Sequence, residues 1–371
     1  MNCEVEFLPV GTASKAGDAI VVRYGSDAQY RLMTVDGGTQ ESGQELVKHV
    51  RAEFGQAAII EHAILTHSDA DHASGLREIL RELPVVNVWL HIPWLSAAAA
   101  RPYFANKNWT DDGLTKSLEN EYDIIGEIVT LAQAQRTNIF QPFQGMDIGP
   151  FKVLGPSAWF YPKLLPQFDR TPDADQAALD AVNCWIGKQP SLFAKALASL
   201  TETTQSWVQE TWTRERLKDG GQTGASNESS VILYGDFGLG SKILLTADAG
   251  VIGLRLAAQY AASIGLDITG PNCIQIPHHG SRSNVGPTIL NQIIGSIKPE
   301  GSNPHFLAYC SVPADDANHP RKMVLNAFIR RGAEIVLTQG GKKVFWGGFT
   351  PRPGYVRATP FPFSNQVEDY Q

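Results

Sequence analysis

The apolar run Ala63-Ile64-Leu65 feeds directly into Thr66-His67-Ser68-Asp69-Ala70-Asp71-His72-Ala73-Ser74-Gly75. The run reads as a buried strand, and the segment after it as a tight polar loop. Two histidines and two aspartates within six residues can be aimed by such a loop at one small volume beyond the strand end. Imidazole nitrogen suits zinc, iron or manganese, and carboxylate oxygen tilts the preference towards harder ions. The competing reading is a solvated Asp/His loop that is polar and nothing more. The metal reading needs further ligands from elsewhere in the chain.

Composition bounds the rest. At 371 residues with 43% hydrophobic content, the chain can bury a large core, as one large domain or two modest ones. A net charge of −7 without any Lys/Arg run weighs against tight non-specific binding of long nucleic acid. It leaves room for a small anionic substrate at a metal. No basic segment leads into a long apolar one, and no stretch approaches the roughly 20 apolar residues of a membrane span. The expectation is therefore a cytoplasmic protein with no membrane association. Cys3, Cys184, Cys273 and Cys310 are scattered without a Cys-x-x-Cys pair, which suggests neither a disulfide framework nor a thiolate zinc site.

Strand-like runs recur along the chain: Val5 to Leu8, Ala19 to Val22, Arg31 to Val35, Ala57 to Leu65 and Val85 to Leu90. Helical spacing of Leu46, Val47, Val50 and Phe54 predicts a helix over Glu45–Phe54, and Leu76–Leu83 predicts a shorter one. Strands resume at Phe151–Leu154, Val231–Tyr234, Ile243–Leu245, Ile274–Ile276 and Phe306–Tyr309. This pattern predicts an α/β architecture of sheets covered by helices. Two regions interrupt it, Pro93–Arg136 and Phe160–Ala225, both read as mostly helical.

Three more strand ends carry ionisable residues beside small ones. Asp36 closes Val35-Asp36-Gly37-Gly38, Asp248 sits in Thr246-Ala247-Asp248-Ala249-Gly250, and His278 and His279 in Pro277-His278-His279-Gly280-Ser281. Singly, Asp36 is a good turn aspartate, Asp248 could cap a following helix, and paired histidines before glycine occur in ordinary loops. Their recurrence in step with the His/Asp loop points instead to one site at one sheet edge.

His67-Ser68-Asp69-Ala70-Asp71-His72 resembles the signature loop of the metallo-β-lactamase superfamily, in the variant with Asp in place of the middle His. Together with Leu244–Gly250 and Pro277–Ser281, it looks like the ComEC-type hydrolase domain found in DNA-uptake proteins. Gly17-Asp18-Ala19-Ile20, Asn227–Ser230 and Asn318-His319-Pro320 extend the likeness, which covers roughly residues 4–92, 137–157 and 226–347.

The resemblance implies one metallo-β-lactamase-like domain over 1–371, an αββα sandwich with helical insertions at about 93–136 and 160–225. It implies two divalent ions, Zn²⁺ or Mn²⁺. His67 and Asp69 would hold one; Asp71, His72 and one of His278/His279, with His279 favoured, would hold the other, and Asp248 would bridge. His278 would contact substrate phosphate or protonate a leaving group, with Asp71 and His319 also at the chemistry. Asp36, Asn227, Ser230 and Ser281 would support ligands or substrate. The third imidazole used by lactam-cleaving relatives has no counterpart, because no His lies between His91 and His278. This favours phosphoester over β-lactam cleavage.

Of eight tryptophans, Trp94, Trp109, Trp159, Trp185, Trp207 and Trp212 fall within or beside the insertions. They read first as anchors for extra helices, and second as a lid whose rings could stack on a base. The leading expectation is a phosphodiesterase or nuclease acting on a small anionic, nucleotide or short single-stranded substrate. Acyl or thioester hydrolysis is the second enzyme class. A metal-stabilised interaction module, binding a protein partner through the insertions, is the third.

Overall fold

The computed structural model describes residues 1–12, 16–186, 206–238 and 240–370. The chain opens with an antiparallel meander of β1 (Asn2–Phe7), β2 (Ile20–Gly25) and β3 (Tyr30–Val35). Helix α1 (Gln40–Phe54) returns it so that β4 (Ile60–Ile64) runs parallel to β3, and α2 (Ala70–Glu82) does the same for β5 (Val85–Trp89). Helices α3 (Ala97–Ala100), α4 (Asp111–Glu121) and α5 (Asp123–Gln135) follow, then β6 (Asn138–Phe140), parallel to β5.

A hairpin of β7 (Asp147–Ile148) and β8 (Phe151–Gly155) starts the second half. Next come α6 (Tyr161–Leu164), α7 (Gln176–Ile186), β9 (Trp207–Gln209) and α8 (Ala225–Glu228). Strands β10 (Ile232–Asp236) and β11 (Lys242–Leu245) pair antiparallel. Then α9 (Val251–Ser263), β12 (Cys273–Gln275), α10 (Pro287–Ile293), β13 (Phe306–Cys310), α11 (Lys322–Arg330) and β14 (Ala333–Leu337) alternate, with β11 to β14 all parallel. The chain closes through β15 (Lys343–Gly347) and β16 (Gln366–Glu368).

Two seven-stranded sheets result, β15-β1-β2-β3-β4-β5-β6 and β14-β13-β12-β11-β10-β8-β7, with a ribbon of β9 and β16 beside them. Strand alternation builds the layers. Cys3, Val5 and Phe7 of β1 meet Ile243, Leu245 and Cys273 of the other sheet in a buried cluster between the sheets. Val21 faces the opposite way, towards Leu46, Val50, Leu76 and Ile79 of α1 and α2. Leu244 and Ile274 likewise face Leu254, Ile289 and Phe328 of α9, α10 and α11. Helix, sheet, sheet, helix is the order of layers, as the sequence predicts.

The parallel strands explain why function collects at one edge. The carboxyl ends of β3, β4, β11 and β12 share that edge, where open parallel sheets present their sites. Antiparallel β2 and β10 bring their amino ends there. The Val231 amide, just before β10, donates to the Thr66 carbonyl at 3.0 Å and ties the two sheets together at this edge.

Three features differ from the sequence expectation. Helix α2 begins at Ala70 rather than Leu76, because Asp69 takes an extended N-cap conformation and Asp71 places an acid in the first turn. The second insertion is less helical than expected: residues 207–209 form β9, paired with β16. Residues 187–205 and the Trp185 side chain lie outside the described residues. The tryptophans divide. Trp94 and Trp109 pack against the core, and the Trp212 indole N–H donates to the Lys298 carbonyl at 2.9 Å. Trp159 and Trp207 are exposed beneath Lys163 and Lys322. No described helix is long and apolar enough to cross a membrane.

Candidate metal centre

Asp36 leaves β3 in a left-handed turn, with φ of +56°. Its Oδ1 accepts the Thr66 amide at 2.7 Å, and its Oδ2 accepts the Thr66 hydroxyl at 2.7 Å. That same Oδ2 lies 2.8 Å from His72 Nδ1, so the ring donates there. His72 Nε2 is thereby turned towards Asp248 Oδ2, 3.4 Å away. Asp36 and His72 can meet only because α2 packs hard against the end of β3. A Cβ on Gly75 would overlap the Gly37 carbonyl.

His67 repeats the arrangement. The Thr66 hydroxyl hydrogen is spent on Asp36, so its oxygen accepts from His67 Nδ1 at 3.1 Å, with Ser230 Oγ at 3.4 Å. His67 Nε2 then lies 3.5 Å from Asp69 Oδ2 and 3.9 Å from Asp248 Oδ2. His279 donates Nδ1–H to the Ser311 carbonyl at 2.8 Å and points Nε2 at Asp248 Oδ1, 3.7 Å away. Each ring is held from behind by an oxygen, which fixes its tautomer and leaves the Nε2 lone pair facing the centre.

Asp248 is held as firmly. Gln275 Oε1 accepts the Thr246 and Ala247 amides at 3.1 and 2.9 Å, and Asn284 Nδ2 donates to the Asp248 carbonyl at 2.7 Å. Ala247 is left-handed at φ +45°, as are His278 and His279 at +45° and +54°. Of five described non-glycine residues with positive φ, Asp36, Ala247, His278 and His279 are at this edge, and only Arg136 is elsewhere. Such conformations cost of order 1–3 kcal/mol each and persist where surrounding structure enforces them.

The fit to metal is tested by what these atoms lack. Nε2 of His67, His72 and His279 and Oδ1 of Asp248 are buried without a hydrogen-bond partner. Leaving one such atom unpaired costs about 1–3 kcal/mol. Four that converge call for a ligand that takes lone pairs. The carboxylates of Asp18, Asp36 and Asp248 are buried, and none of them pairs with a lysine or arginine among the described residues. Electrostatics agrees. Burial opposes charge on His72, yet the Asp248 and Asp36 carboxylates override it and hold the imidazole well above its ordinary value. Burial also works against the Asp248 anion, but His278, His72 and His279 hold its carboxyl well below the usual range. The residues present fit divalent ions.

Ligand atoms of His67, His72 and Asp248 lie within 4.8 Å of one another, and so do those of Asp18, Asp248 and His279. This grouping differs from that implied by the resemblance, which placed His72 with His279. Asp69 caps α2 half-exposed, with the Ser226 hydroxyl donating to its Oδ1. Asp71 lies in the first turn of α2 and is absent from the converging groups. It lines a neighbouring cleft of about 310 Å³ with Asp69, Tyr122, Asp123, Phe168 and Asp169.

His278 stands apart from its neighbour. It donates Nδ1–H to Asn284 Oδ1 at 2.9 Å, touches Asn227 Nδ2 at 3.1 Å, and holds Nε2 3.6 Å from Asp248 Oδ2. Its side chain is 28% exposed, whereas that of His279 is 4% exposed. The His319 ring stacks on it at 5.8 Å, steadied by Asp316 at 3.3 Å. Ser281 is buried; its hydroxyl accepts the Ser283 amide at 3.3 Å, and its own amide donates to the His278 carbonyl at 2.9 Å.

Residues 31–132 match the family model described as the metallo-β-lactamase superfamily. The matched segment runs from β3 into α5 and contains the His/Asp loop. No curated protein matches the chain. Among solved structures, the chain is similar to Zn²⁺-bound PqqB from Methylobacterium extorquens, at 11% identity over 92% of this chain and 99% of that one, with a TM-score of 0.40. It is also similar to a protein of Thermotoga maritima described as a metallo-β-lactamase, at 10% identity over 67% and 79%, with a TM-score of 0.32. A third is the dizinc quorum-quenching lactonase AidC, at 12% identity over 67% of each chain, with a TM-score of 0.29.

Sequence reasoning did not single out Asp18, Gln275, Asn284 or Glu228 as site residues. Glu228 is buried, and its carboxylate accepts the Ile252 and Gly253 amides at 3.3 and 2.6 Å, capping α9 from another segment. Asp18 and Glu228 lie inside the Gly17–Ile20 and Asn227–Ser230 segments of the likeness, whereas Gln275 and Asn284 are marked only by their nearness to the strand end before His278.

Proposed function

We propose that this chain is a two-metal hydrolase that cleaves a phosphodiester in a small nucleotide-containing substrate. The observation that carries the reading is the Asp248 carboxylate, whose two oxygens face two separate groups of unpartnered nitrogen and oxygen atoms. The three buried carboxylates, those of Asp18, Asp36 and Asp248 itself, bring three negative charges, against the four positive charges of two divalent ions. Bound there, Zn²⁺ or Mn²⁺ would supply Lewis acidity and a water nucleophile near neutral pH.

His67 and His72 with Asp248 would hold one ion, and His279 with Asp248 the other. Asp36, Thr66, Ser230 and the Ser311 carbonyl fix the ring orientations. His278 is partly open to solvent beside the cluster; its Nδ1–H is committed to Asn284, so its Nε2 would give a proton to a leaving oxygen or hold a phosphoryl oxygen once the ring is a cation. Asn227 and Asn284 orient it, and His319 stacks behind it. The ComEC-like letters of the loop, Asp69 above all, support phosphate over lactam.

The acidic wall of the adjoining cleft, with Asp71, Asp123 and Asp169, repels a long polyanion and favours a short substrate. The deciding experiment is turnover of bis-p-nitrophenyl phosphate, short single-stranded DNA and cyclic dinucleotides with Mn²⁺ or Zn²⁺, using Asp248→Asn as the blank. Cleavage of homoserine lactones or thioesters, with every phosphodiester untouched, would replace this reading by acyl hydrolysis.

A further inference from the structure

Asp18 belongs to a segment of the sequence likeness that assigns it no ligand role, and its carboxylate has an unusual environment in the fold. It lies just before β2, whose antiparallel pairing with β3 brings this end of the strand to the metal edge. The residue is 1% exposed. Gln275 Nε2 donates to its Oδ2 at 2.7 Å. The orientation of that amide is fixed, because Gln275 Oε1 is occupied by the Thr246 and Ala247 amides. The other oxygen, Oδ1, is buried and has no hydrogen-bond partner. No described lysine or arginine pairs with it; the charges that act on it are His279, His72, Asp248 and Asp36. An unpaired carboxylate in such a place is retained at a cost of several kcal/mol unless a cation meets it.

The geometry supplies the place for that cation. One oxygen of Asp18, one of Asp248 and a ring nitrogen of His279 lie within 4.8 Å of one another. A divalent ion about 2.0–2.2 Å from each ligand atom holds donors up to about 4.4 Å apart, so shifts of a few tenths of an ångström would close this set around it. Asp248 Oδ1 and His279 Nε2, both unpartnered, are the two atoms on that side of the bridging carboxylate.

We propose that Asp18 is a direct ligand of the second metal ion, completing with Asp248 and His279 the site that the loop motif assigns to Asp71. The assignment rests on the two-metal reading of the centre but not on the phosphodiester substrate. It replaces a second site of two carboxylates and two imidazoles with one of two carboxylates and one imidazole. Such a site favours Mn²⁺ over Zn²⁺ more than the His67–His72–Asp248 site does. The two ions should therefore differ in affinity and exchange separately.

The test is metal stoichiometry by elemental analysis and Mn²⁺ or Zn²⁺ titration calorimetry on the full chain, beside thermal melts of the metal-free protein. Wild type is expected to bind two ions. Asp18→Asn should keep one with its affinity unchanged and lose the second, or bind it at least about 100-fold more weakly. Metal-free Asp18→Asn should melt no lower than metal-free wild type, because the substitution removes an uncompensated buried charge. Asp18→Ser is read the same way, and Asp71→Asn should retain both ions.

Two ions at wild-type affinity in Asp18→Asn would overturn the assignment and leave the two-metal reading standing. A metal-free Asp18→Asn protein that unfolds or melts lower would overturn it too, by making Asp18 a structural acid. Loss of the second ion in Asp71→Asn but not in Asp18→Asn would return the seat to Asp71. A wild-type chain that binds no ion would remove the two-metal reading and this assignment together.

Discussion

Asp36 Oδ2 and His72 Nδ1 lie 2.8 Å apart, both fully buried, and this contact decides which nitrogen of His72 faces Asp248. A carboxylate behind a ligating imidazole fixes the tautomer and raises the basicity of the far nitrogen. Asp36→Asn keeps the shape but replaces an acceptor with an amide that can present either atom. Metal affinity is expected to fall by about 10–100-fold, with the fold retained. Zn²⁺ titration followed by calorimetry checks it; unchanged affinity would make Asp36 a turn residue only.

The adjacent histidines should separate cleanly. His279→Asn removes a buried Nε2 at 3.7 Å from Asp248 and is expected to cost one bound ion. His278→Asn removes a half-exposed ring that Asn284 orients, and is expected to leave both ions in place. Its turnover should drop by about 10²–10⁴-fold, the range for a lost proton donor. Elemental analysis and kinetics on the same preparations distinguish the two roles.

Burial lifts the Glu228 carboxyl to about 7 from an ordinary 4.5, against the pull of the Gly253 and Ile252 amides. The folded protein therefore holds this proton more tightly than the unfolded chain. The stabilisation is complete below about pH 4.5 and is lost as pH rises through about 7. The full swing is at most about 3 kcal/mol. Melts of metal-free wild type and Glu228→Gln between pH 4.5 and 8 should diverge across this window. Parallel curves would show that the carboxyl titrates normally.

Far from the metals, Arg352 reaches Glu4, Glu6 and Glu53 at once and ties the C-terminal segment to β1 and α1. Glu4 and Glu6 are nearly inaccessible, at 0% and 1% exposed, so removing their shared partner leaves two buried carboxyls with one cation fewer. Arg352→Met is expected to cost about 3–5 kcal/mol in denaturant unfolding, without changing metal stoichiometry. A loss under about 1 kcal/mol would show that Arg23, 2.8 Å from Glu4, and His49, 2.9 Å from Glu6, suffice.

If the centre holds ions, chelation should be visible as lost stability. An ion present at 100 times its dissociation constant contributes about 2.7 kcal/mol. EDTA should thus lower the melting temperature by several degrees in wild type and leave Asp248→Asn unmoved.

What was legible in the sequence follows from range. Strands such as Ile243–Leu245 are buried on both faces and announce themselves as apolar runs, and His67, His72, Asp248 and His279 each abut one. Asp18 was not legible as a ligand. Beside Gly17 it looks like any turn aspartate, and the group that orients it, Gln275, is 257 residues away. Asp71 belongs to the motif, and the helix that begins at Ala70 carries it in its first turn. The β9–β16 pairing joins segments whose sequences alone say nothing of one another.

The cluster draws His67, His72 and Asp18 from one sheet and Asp248 and His279 from the other, across an interface where Phe7 stacks on Tyr309 at 4.5 Å. Any ion shared through Asp248 is then a rivet between two plates. Its dissociation constant includes the free energy of pressing those plates together. A substitution in the stack, remote from every ligand, should appear in a metal titration as weakened binding. By reciprocity, the metal should appear in a pulling or hydrogen-exchange experiment as resistance to the sheets parting.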